Sequence, residues 1–200
     1  MGRMELGQAT RLRLATAADA DGILSIYAPI VRETAISFEM DPPSVEEMRR
    51  RVELTLRDLP WLVSESAGRI AGYAYASQHH ERAAYQWSVD VSVYVAADHR
   101  REGVGKSLYS TLLGIVQDLG YYSAFAGIAL PNPGSVALHE SMGFQPIGVY
   151  RKAGYKLGAW RDVGWWGRPL REYDVNPKPP RLLGELDPAE LQSRLIGRRL

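Results

Sequence analysis

The chain has no cysteine among its 200 residues. This absence excludes a disulfide framework, a thiolate metal site and a covalent acyl-cysteine intermediate. Any acyl-transfer chemistry in this protein must therefore use a nucleophile other than a protein thiol.

The chain also has no large excess of positive or negative charge: its 24 Lys and Arg and 23 Asp and Glu give a formal net charge of +1. This balance gives no global positive field, so we expect neither a nucleic-acid partner nor a membrane partner. The chain also lacks an apolar N-terminal run and any uninterrupted apolar segment of about 20 residues. We therefore expect a soluble, cytoplasmic protein.

The apolar content of 46% is enough, over 200 residues, for one domain with a full hydrophobic core. We predict a flexible N-terminus at 1–10 and a single α/β domain at 11–171. Pro177, Pro179 and Pro180 indicate a linker within 172–200, and a helix capped by Asp187 and Pro188 ends this extension.

Capping and periodicity predict alternating helices and strands in the domain. Thr16 with Asp19, and Ser44 with Glu47, each open an amphipathic helix, and Pro60 stops the second one. A third helix covers 108–119, and a fourth begins at Asn132. Predicted strands cover 12–14, 61–65, 70–76, 87–95, 123–130, 147–152 and 163–170.

The strand at 87–95 has the clearest pattern, because apolar residues alternate with Ser88, Asp90, Ser92 and Tyr94. Successive side chains of a strand point to opposite faces. Asp90, Ser92 and Tyr94 are therefore predicted to share one face of the sheet.

The segment from His99 to Ser107 reads HRREGVGKS and lies between a predicted strand and a predicted helix, where backbone N–H groups bind anions. A nucleotide P-loop is excluded because Arg100 occupies the position of its first glycine. A dinucleotide fingerprint is excluded because Leu108 occupies the position of its third glycine. A glycine-bearing turn with solvated arginines would also explain this segment taken alone.

Two motifs carry a resemblance to a known family. The first is R-x-x-G-x-G, formed by Arg100, Gly103 and Gly105, and the second, about thirty residues later, contains Asn132, Ser135, Leu138-His139-Glu140 and Gly143-Phe144. This pair resembles the GNAT N-acetyltransferases. Local signatures between 12 and 170 are similar to the phosphinothricin and methionine sulfoximine subgroup: Ser37-Phe38, Pro60-Trp61-Leu62-Val63, Tyr85-x-Trp87, Val93-Tyr94-Val95 and Trp160-x-Asp162-Val163.

The resemblance implies a mixed central sheet whose two parallel strands splay apart, with helices on both faces. It also implies acetyl-CoA as cofactor, with pantetheine in the gap between the strands at 93–95 and 126–130. The residues that it assigns to cofactor binding are Val93, Tyr94, Val95, Arg100, Arg101, Gly103, Val104, Gly105, Lys106, Ser107, Asn132 and Ser135.

The chemistry requires a base, because an amino acid's ammonium has no free lone pair at neutral pH. Asp90 stands where close relatives carry glutamate, and we predict that it reaches the amine directly or through one water. The alternative for Asp90 is an acid on a solvated strand face. A backbone N–H near Val95 is the expected oxyanion donor, because the splay of the strands leaves it without a ladder partner. His139 either protonates the departing thiolate or packs beside the cofactor.

The resemblance also places residues around the acceptor. Arg82 and Tyr85 would hold a carboxylate or phosphinate oxygen, and His80 replaces a lysine of some relatives. Phe38 and Trp87 would form apolar walls, although core packing explains each of them equally well. No metal is expected at His79 and His80, because adjacent residues on a strand point to opposite faces.

The sequence therefore predicts an enzyme that acetylates the α-amine of a small amino-acid analogue such as phosphinothricin, methionine sulfoximine or methionine sulfone. The alternatives are acetylation of protein N-termini or lysines, and a non-catalytic CoA-sensing module. We also expect a homodimer, with Trp160, Trp165 and Trp166 either at its interface or packed within one protomer.

Overall fold

The computed structural model describes residues 10–196, which form one seven-stranded sheet flanked by helices. The strands are β1 (Arg11–Leu14), β2 (Trp61–Ser66), β3 (Arg69–Gln78), β4 (Ser88–Val95), β5 (Ser123–Leu130), β6 (Gln145–Lys156) and β7 (Ala159–Pro169). The α-helices are α1 (Ala20–Glu33), α2 (Val45–Asp58), α3 (Val104–Leu119), α4 (Pro133–Ser141) and α5 (Pro188–Ile196).

The sheet has the order β1-β2-β3-β4-β5-β7-β6, and β4 and β5 are its parallel neighbours. Alternation along β2 directs Trp61 and Val63 into the core under α1 and α2, and Leu62 into the core under α3. Helices thus cover both faces. The predicted mixed sheet with helices on both sides is confirmed.

The predicted capping residues begin the helices. The backbone N–H of Thr16 donates to the Asp19 carboxylate at 2.7 Å, and Ser44 Oγ accepts from the Glu47 N–H at 3.1 Å. α1 begins after a short 3-10 turn at Ala17–Asp19. Each bond satisfies an N–H group that a helix start leaves without a partner.

The last two strands are longer than predicted and form a hairpin through Leu157 and Gly158. Both turn residues have positive φ, 51° and 72°, which suits the tight turn of a two-residue hairpin. The strands extend beyond the predicted ones because the β6–β7 register shifts between Tyr150 and Gly154. A shift of this kind interrupts the period-two pattern of a strand.

The segment after β7 packs on the domain instead of acting as a free linker. Leu183 and Leu186 are buried in the core under α3, and Arg194 forms an ion pair with Asp118 at 2.6 Å. Asp187 accepts from the Ala189 N–H at 2.7 Å and so caps α5 as predicted. Residues 1–9, which include most of the N-terminus predicted to be flexible, and 197–200 lie outside the described residues.

Two further features bear on partners. None of the helices within residues 10–196 has the length and apolar character needed to cross a membrane. The edge strand β6 is largely exposed, with Ile147 and Tyr150 about 60% accessible. Trp160 on β7 is also 60% exposed, whereas Trp166 is buried within the protomer.

Candidate active site

The two parallel strands separate directly after Asp90. β4 pairs with β5 at three positions, of which Asp90 with Phe125 is the last. The Ala96 N–H donates to the Ala71 carbonyl, which fixes the alternation of the antiparallel β3–β4 ladder. By that alternation the amides of Val93 and Val95 point toward β5, and there they have no ladder partner.

We call the gap beyond this point the β4–β5 opening. Its lining comes from both strands and from α3, α4 and the segment before α2: Ile36, Val91, Ser92, Val93, Tyr94, Tyr109, Gly127, Ile128, Ala129, Asn132, Ser135 and His139. Strand backbone without ladder partners forms both sides of this gap. An extended, amide-containing ligand can therefore bind there as an added strand.

At one end of the opening lies the N-terminus of α3. Gly103 caps the helix with φ of 86° and contributes no side-chain bond, and Arg101 before it has φ of 65°. The amides of the first helical turn therefore have no partner within the helix. The Ser107 N–H already forms a hydrogen bond of the helix, because it donates to the Gly103 carbonyl at 2.9 Å. The resemblance assigns Ser107 to cofactor binding, but the backbone amides of this turn that are free for an anion end at Lys106.

The side chains around this turn suit an anion. Among the described residues, Arg100, Arg101 and Lys106 are exposed and take part in no ion pair. Gly105 allows close packing, because a Cβ there would lie 3.2 Å from Leu138 and 3.4 Å from Val95. The turn thus presents amides and cations to a negatively charged group.

Asp90, at the point where the strands diverge, is paired with a histidine. Its Oδ1 lies 2.7 Å from His79 Nδ1, and the two side chains are 30% and 14% exposed. Burial raises the pKa of Asp90, while the hydrogen bond from His79 opposes that rise. The acid is therefore neither fully solvated nor isolated, as an acid on a solvated strand face would be.

On the opposite wall of the opening, His139 is buried and held at both ring nitrogens. Nδ1 lies 2.7 Å from the Ser135 carbonyl, and Nε2 lies 2.8 Å from the Tyr109 hydroxyl. Because a carbonyl can only accept, Nδ1 carries the hydrogen and Nε2 accepts from Tyr109 in the neutral ring. Burial lowers the pKa of His139, against the opposing effect of the Ser135 carbonyl.

A wide groove follows β3 and adjoins Asp90 through His79. It has a volume of about 780 Å³ and is lined by Ser77, Gln78, His79, His80, Glu81, Arg82 and Tyr85. This volume lies within the range of roughly 300–1,000 Å³ that is typical of small-molecule sites. Another cavity, of about 620 Å³, lies beside the C-terminal segment and shares no residue with the opening or the groove.

The segment between α1 and α2 carries Phe38 and is held in place by Lys156. The Lys156 ammonium is buried and donates to the carbonyls of Val31, Ser37 and Glu39 at 2.6–2.7 Å. A Cβ on Gly154 would collide with the Phe38 ring, so this ring packs closely on β6. Burial lowers the pKa of Lys156.

Comparison with known proteins decides the family. The family model described as an acetyltransferase (GNAT) domain matches residues 12–165. The chain belongs to the GNAT acetyltransferases. Enzymes of this family use acetyl-CoA, and the predicted GNAT fold is confirmed by the solved structures that are similar to it.

Two curated relatives of this GNAT enzyme illustrate the similarity. Phosphinothricin N-acetyltransferase of Streptomyces viridochromogenes is 40% identical over 170 residues, which cover 85% of this chain and 91% of that protein. The L-methionine sulfoximine/L-methionine sulfone acetyltransferase of Salmonella typhimurium is 32% identical over 165 residues, with coverage of 81% and 95%.

A solved structure supports the same assignment. The phosphinothricin acetyltransferase of Sinorhizobium meliloti, a GNAT enzyme crystallised with acetyl-CoA, has a TM-score of 0.80 and 34% identity. The similarity covers 87% of this chain and 98% of that one. The GNAT domain of this chain is thus matched over nearly the whole length of these three relatives.

The structure brings together most of the residues predicted for the site of this GNAT enzyme. Trp87 is separate, because its indole N–H donates to the Lys178 carbonyl at 2.8 Å and so joins the C-terminal segment. The interpretation of His79 and His80 as facing opposite sides is wrong. β3 ends at Gln78, and the two rings lie 4.3 Å apart.

Three polar residues of the site were missed by the sequence reasoning: His79, Tyr109 and Lys156. His79 follows directly after β3, two residues beyond Ser77, which lies opposite Asp90, so the pairing of β3 with β4 brings it to the acid. Tyr109 and Lys156 reach their partners from 30 to 125 residues away along the chain. Spacing within the sequence carries no signal for contacts of this kind.

Proposed function

We propose that this acetyltransferase moves the acetyl group of acetyl-CoA to the α-amine of a small amino-acid analogue of the phosphinothricin, methionine sulfoximine or methionine sulfone type. The observation that carries the proposal is the position of Asp90. It lies where β4 and β5 begin to separate and is linked through His79 to a groove of small-molecule size. The names of the two curated relatives support this substrate class.

The residues present fit acetyl-CoA. The unpartnered amides at Val104, Gly105 and Lys106, with the cations of Arg100 and Arg101, suit its pyrophosphate. Val93, Tyr94 and Val95 offer strand backbone to the amide-containing arm, and Asn132 and Ser135 line the opposite wall. When bound, acetyl-CoA supplies the activated thioester that the amine attacks.

The groove provides the acceptor's binding groups. Arg82 and Tyr85 are exposed there and offer a guanidinium and a hydroxyl to a carboxylate or phosphinate oxygen. His80 adds a further donor. Phe38 lies in the segment that Lys156 holds, outside the residues that line the groove, and we expect it to add an apolar wall to the acceptor site. The cluster of His80, Arg82 and Tyr85 supports a small polar acceptor. Trp87 has no place in this acceptor site.

The protein moves protons on both sides of the opening. Asp90 accepts the proton of the acceptor's ammonium, directly or through an intervening group, and so frees the nitrogen lone pair. The amides of Val93 and Val95 point toward β5 without a ladder partner, and Val93, which lines the opening, is the nearer of the two to Asp90. Its N–H can donate to an oxygen that gains negative charge. On the far wall, the proton shared by Tyr109 and His139 is available to the leaving sulfur.

The homodimer and the cytoplasmic location stay predictions from the sequence. The exposed apolar side chains of β6 and the exposed Trp160 support an interface at this edge of the sheet. Trp166 is buried beside α4 and belongs to the packing of one protomer.

The test measures free thiol while the protein is incubated with acetyl-CoA and a panel of acceptors. We expect release with phosphinothricin, methionine sulfoximine or methionine sulfone, and a raised KM for the acceptor in Arg82→Ala but not in the exposed control Arg57→Ala. Release with peptides alone would show a protein acetyltransferase. Cofactor binding without release under any condition would show a CoA sensor.

A further inference from the structure

The side chain between Asp90 and the groove is His79. Its ring stacks on Phe125 with centroids 4.5 Å apart, and the rings of His80 and Tyr85 lie 4.3 Å and 5.7 Å away. His79 therefore contacts both Asp90 and the residues proposed to bind the acceptor, His80 and Tyr85. His79 lines this groove, whereas Asp90 is not among its lining residues.

The hydrogen bond to Asp90 fixes the tautomer of His79. With the carboxylate ionised, Asp90 Oδ1 accepts, so Nδ1 of His79 carries the hydrogen. In the neutral ring the lone pair then belongs to Nε2, which has no hydrogen-bond partner within residues 10–196. A carboxylate behind an imidazole in this way orients the ring and stabilises the imidazolium that forms on protonation.

We propose that His79 Nε2 is the atom that takes the proton from the acceptor's ammonium, and that Asp90 is a positioning residue behind it. The inference rests on the proposed function and names the group that intervenes between Asp90 and the amine. It also accounts for the short side chain at position 90, because the imidazole extends the reach of the aspartate toward the groove.

His79, Tyr109 and solvent account for every proton that moves in the reaction. The ammonium gives one proton to His79 Nε2, which becomes an imidazolium beside the Asp90 carboxylate and later returns the proton to solvent. The freed nitrogen forms its bond to the acetyl carbon as the carbon–sulfur bond breaks. The nitrogen then releases its second proton to solvent as the amide forms. The thiolate takes the hydroxyl proton of Tyr109, which solvent replaces, so that one proton is released overall. The products are the N-acetyl compound and CoA thiol.

Other ionisable groups face His79, and the experiment must separate their effects. They are Asp90 on β4 and, in the segment after β3, His80, Glu81, Arg82 and Tyr85. Phe125 on β5 and Trp165 on β7 also contact the ring but carry no charge. His80 is the matched control, because it has the same side chain in the same groove without the bond to Asp90.

The experiment compares His79→Asn and His80→Asn with the unsubstituted enzyme across pH, using an acceptor that the unsubstituted enzyme turns over. For His79→Asn we expect kcat to fall roughly 10²–10⁴-fold, loss of the acidic limb of the pH profile, and an unchanged affinity for acetyl-CoA. His80→Asn should change the acceptor's KM and keep the pH profile of kcat. Added imidazole should restore part of the activity of His79→Ala.

A second measurement does not depend on turnover. Long-range ¹H–¹⁵N NMR of the unsubstituted protein should show His79 with its hydrogen on Nδ1, and Asp90→Asn should disturb that tautomer. A hydrogen on Nε2, or a His79→Asn variant within threefold of the unsubstituted kcat, overturns the inference while leaving acetyl transfer intact. An unsubstituted enzyme without acceptor-dependent thiol release overturns the proposed function instead.

Discussion

The two sides of the proposed active site are built from different chemical groups. The cofactor side is mostly backbone: unpaired strand amides and the first turn of α3 after Gly103. The acceptor side is mostly side chains, contributed by β4, β6, the segment after β3 and the segment between α1 and α2. A change of side chain should therefore disturb the acceptor side far more than the cofactor side, where a change of backbone conformation should matter most.

The largest expected effect is the loss of kcat in the Asp90→Asn variant. Removing the charge deprives the acceptor side of its base or of the group that orients it, so kcat should fall roughly 10²–10⁴-fold. The affinity for acetyl-CoA, measured by calorimetry, should stay the same. Asp58→Asn, which makes the same charge change at an exposed position of α2, is the control. A joint loss of kcat and cofactor affinity would contradict the separation of the two sides.

The next largest effect is expected on the cofactor affinity of the Gly103→Ala variant, which changes the backbone of the cofactor side. Gly103 has φ of 86°, a conformation that costs an L-residue about 1–2 kcal/mol. If the turn relaxes, its amides leave their positions and cofactor affinity falls roughly 5–30-fold. Gly68→Ala is the matched control, because Gly68 has φ of 74° in the β2–β3 turn, with open space around it. Equal losses of cofactor affinity in both variants would show that backbone strain acts through global stability.

A smaller effect is expected for Lys156→Met, which keeps the side chain's bulk and removes its three N–H donors. The carbonyls of Val31, Ser37 and Glu39 lose their partner, at a cost of about 1–3 kcal/mol in unfolding free energy. Phe38 then loses its fixed position, so the acceptor's KM should rise severalfold without a change in cofactor affinity. Lys152→Met, at an exposed position of β6, should change neither quantity.

The smallest effect concerns pH and stability at His139. Burial lowers the pKa of this residue below its ordinary 6.5, so below that pH the unfolded chain takes up the proton before the folded one. The free energy of unfolding should therefore decrease as pH falls from about 6.5 through the lowered pKa. His139→Gln should remove this part of the slope, and Tyr109→Phe, which keeps the buried imidazole, should retain it. Denaturant titrations at several pH values measure both.

Sequence reasoning reached the backbone side of the site because its signals are local. Gly103 supplies the positive φ of the turn before α3, and Asn132 caps α4 by accepting from the Ser135 N–H three residues away. Most of the fold was predictable for the same reason, since caps, hairpin turns and period-two patterns all act over short spans.

The acceptor side was predicted less completely because its contacts join distant parts of the chain. Arg82 and Tyr85 were assigned through the family resemblance, but the bond of His79 to Asp90 depends on how β3 pairs with β4. Trp87 is apolar enough for a pocket wall, but its indole N–H donates to the backbone carbonyl of Lys178, far along the chain. Tertiary hydrogen bonds of this kind decide where an ambiguous side chain points.

The bond from Trp87 to Lys178 ties the C-terminal segment to the residue just before β4, where that strand is still joined to β5. The Trp87 carbonyl accepts there from the N–H groups of Tyr122 and Ser123. The joined end of the two strands is therefore supported from outside the catalytic region by the C-terminal segment. Alterations near the C-terminus can thus reach the chemistry through sheet geometry, without any atom of that segment approaching the substrate.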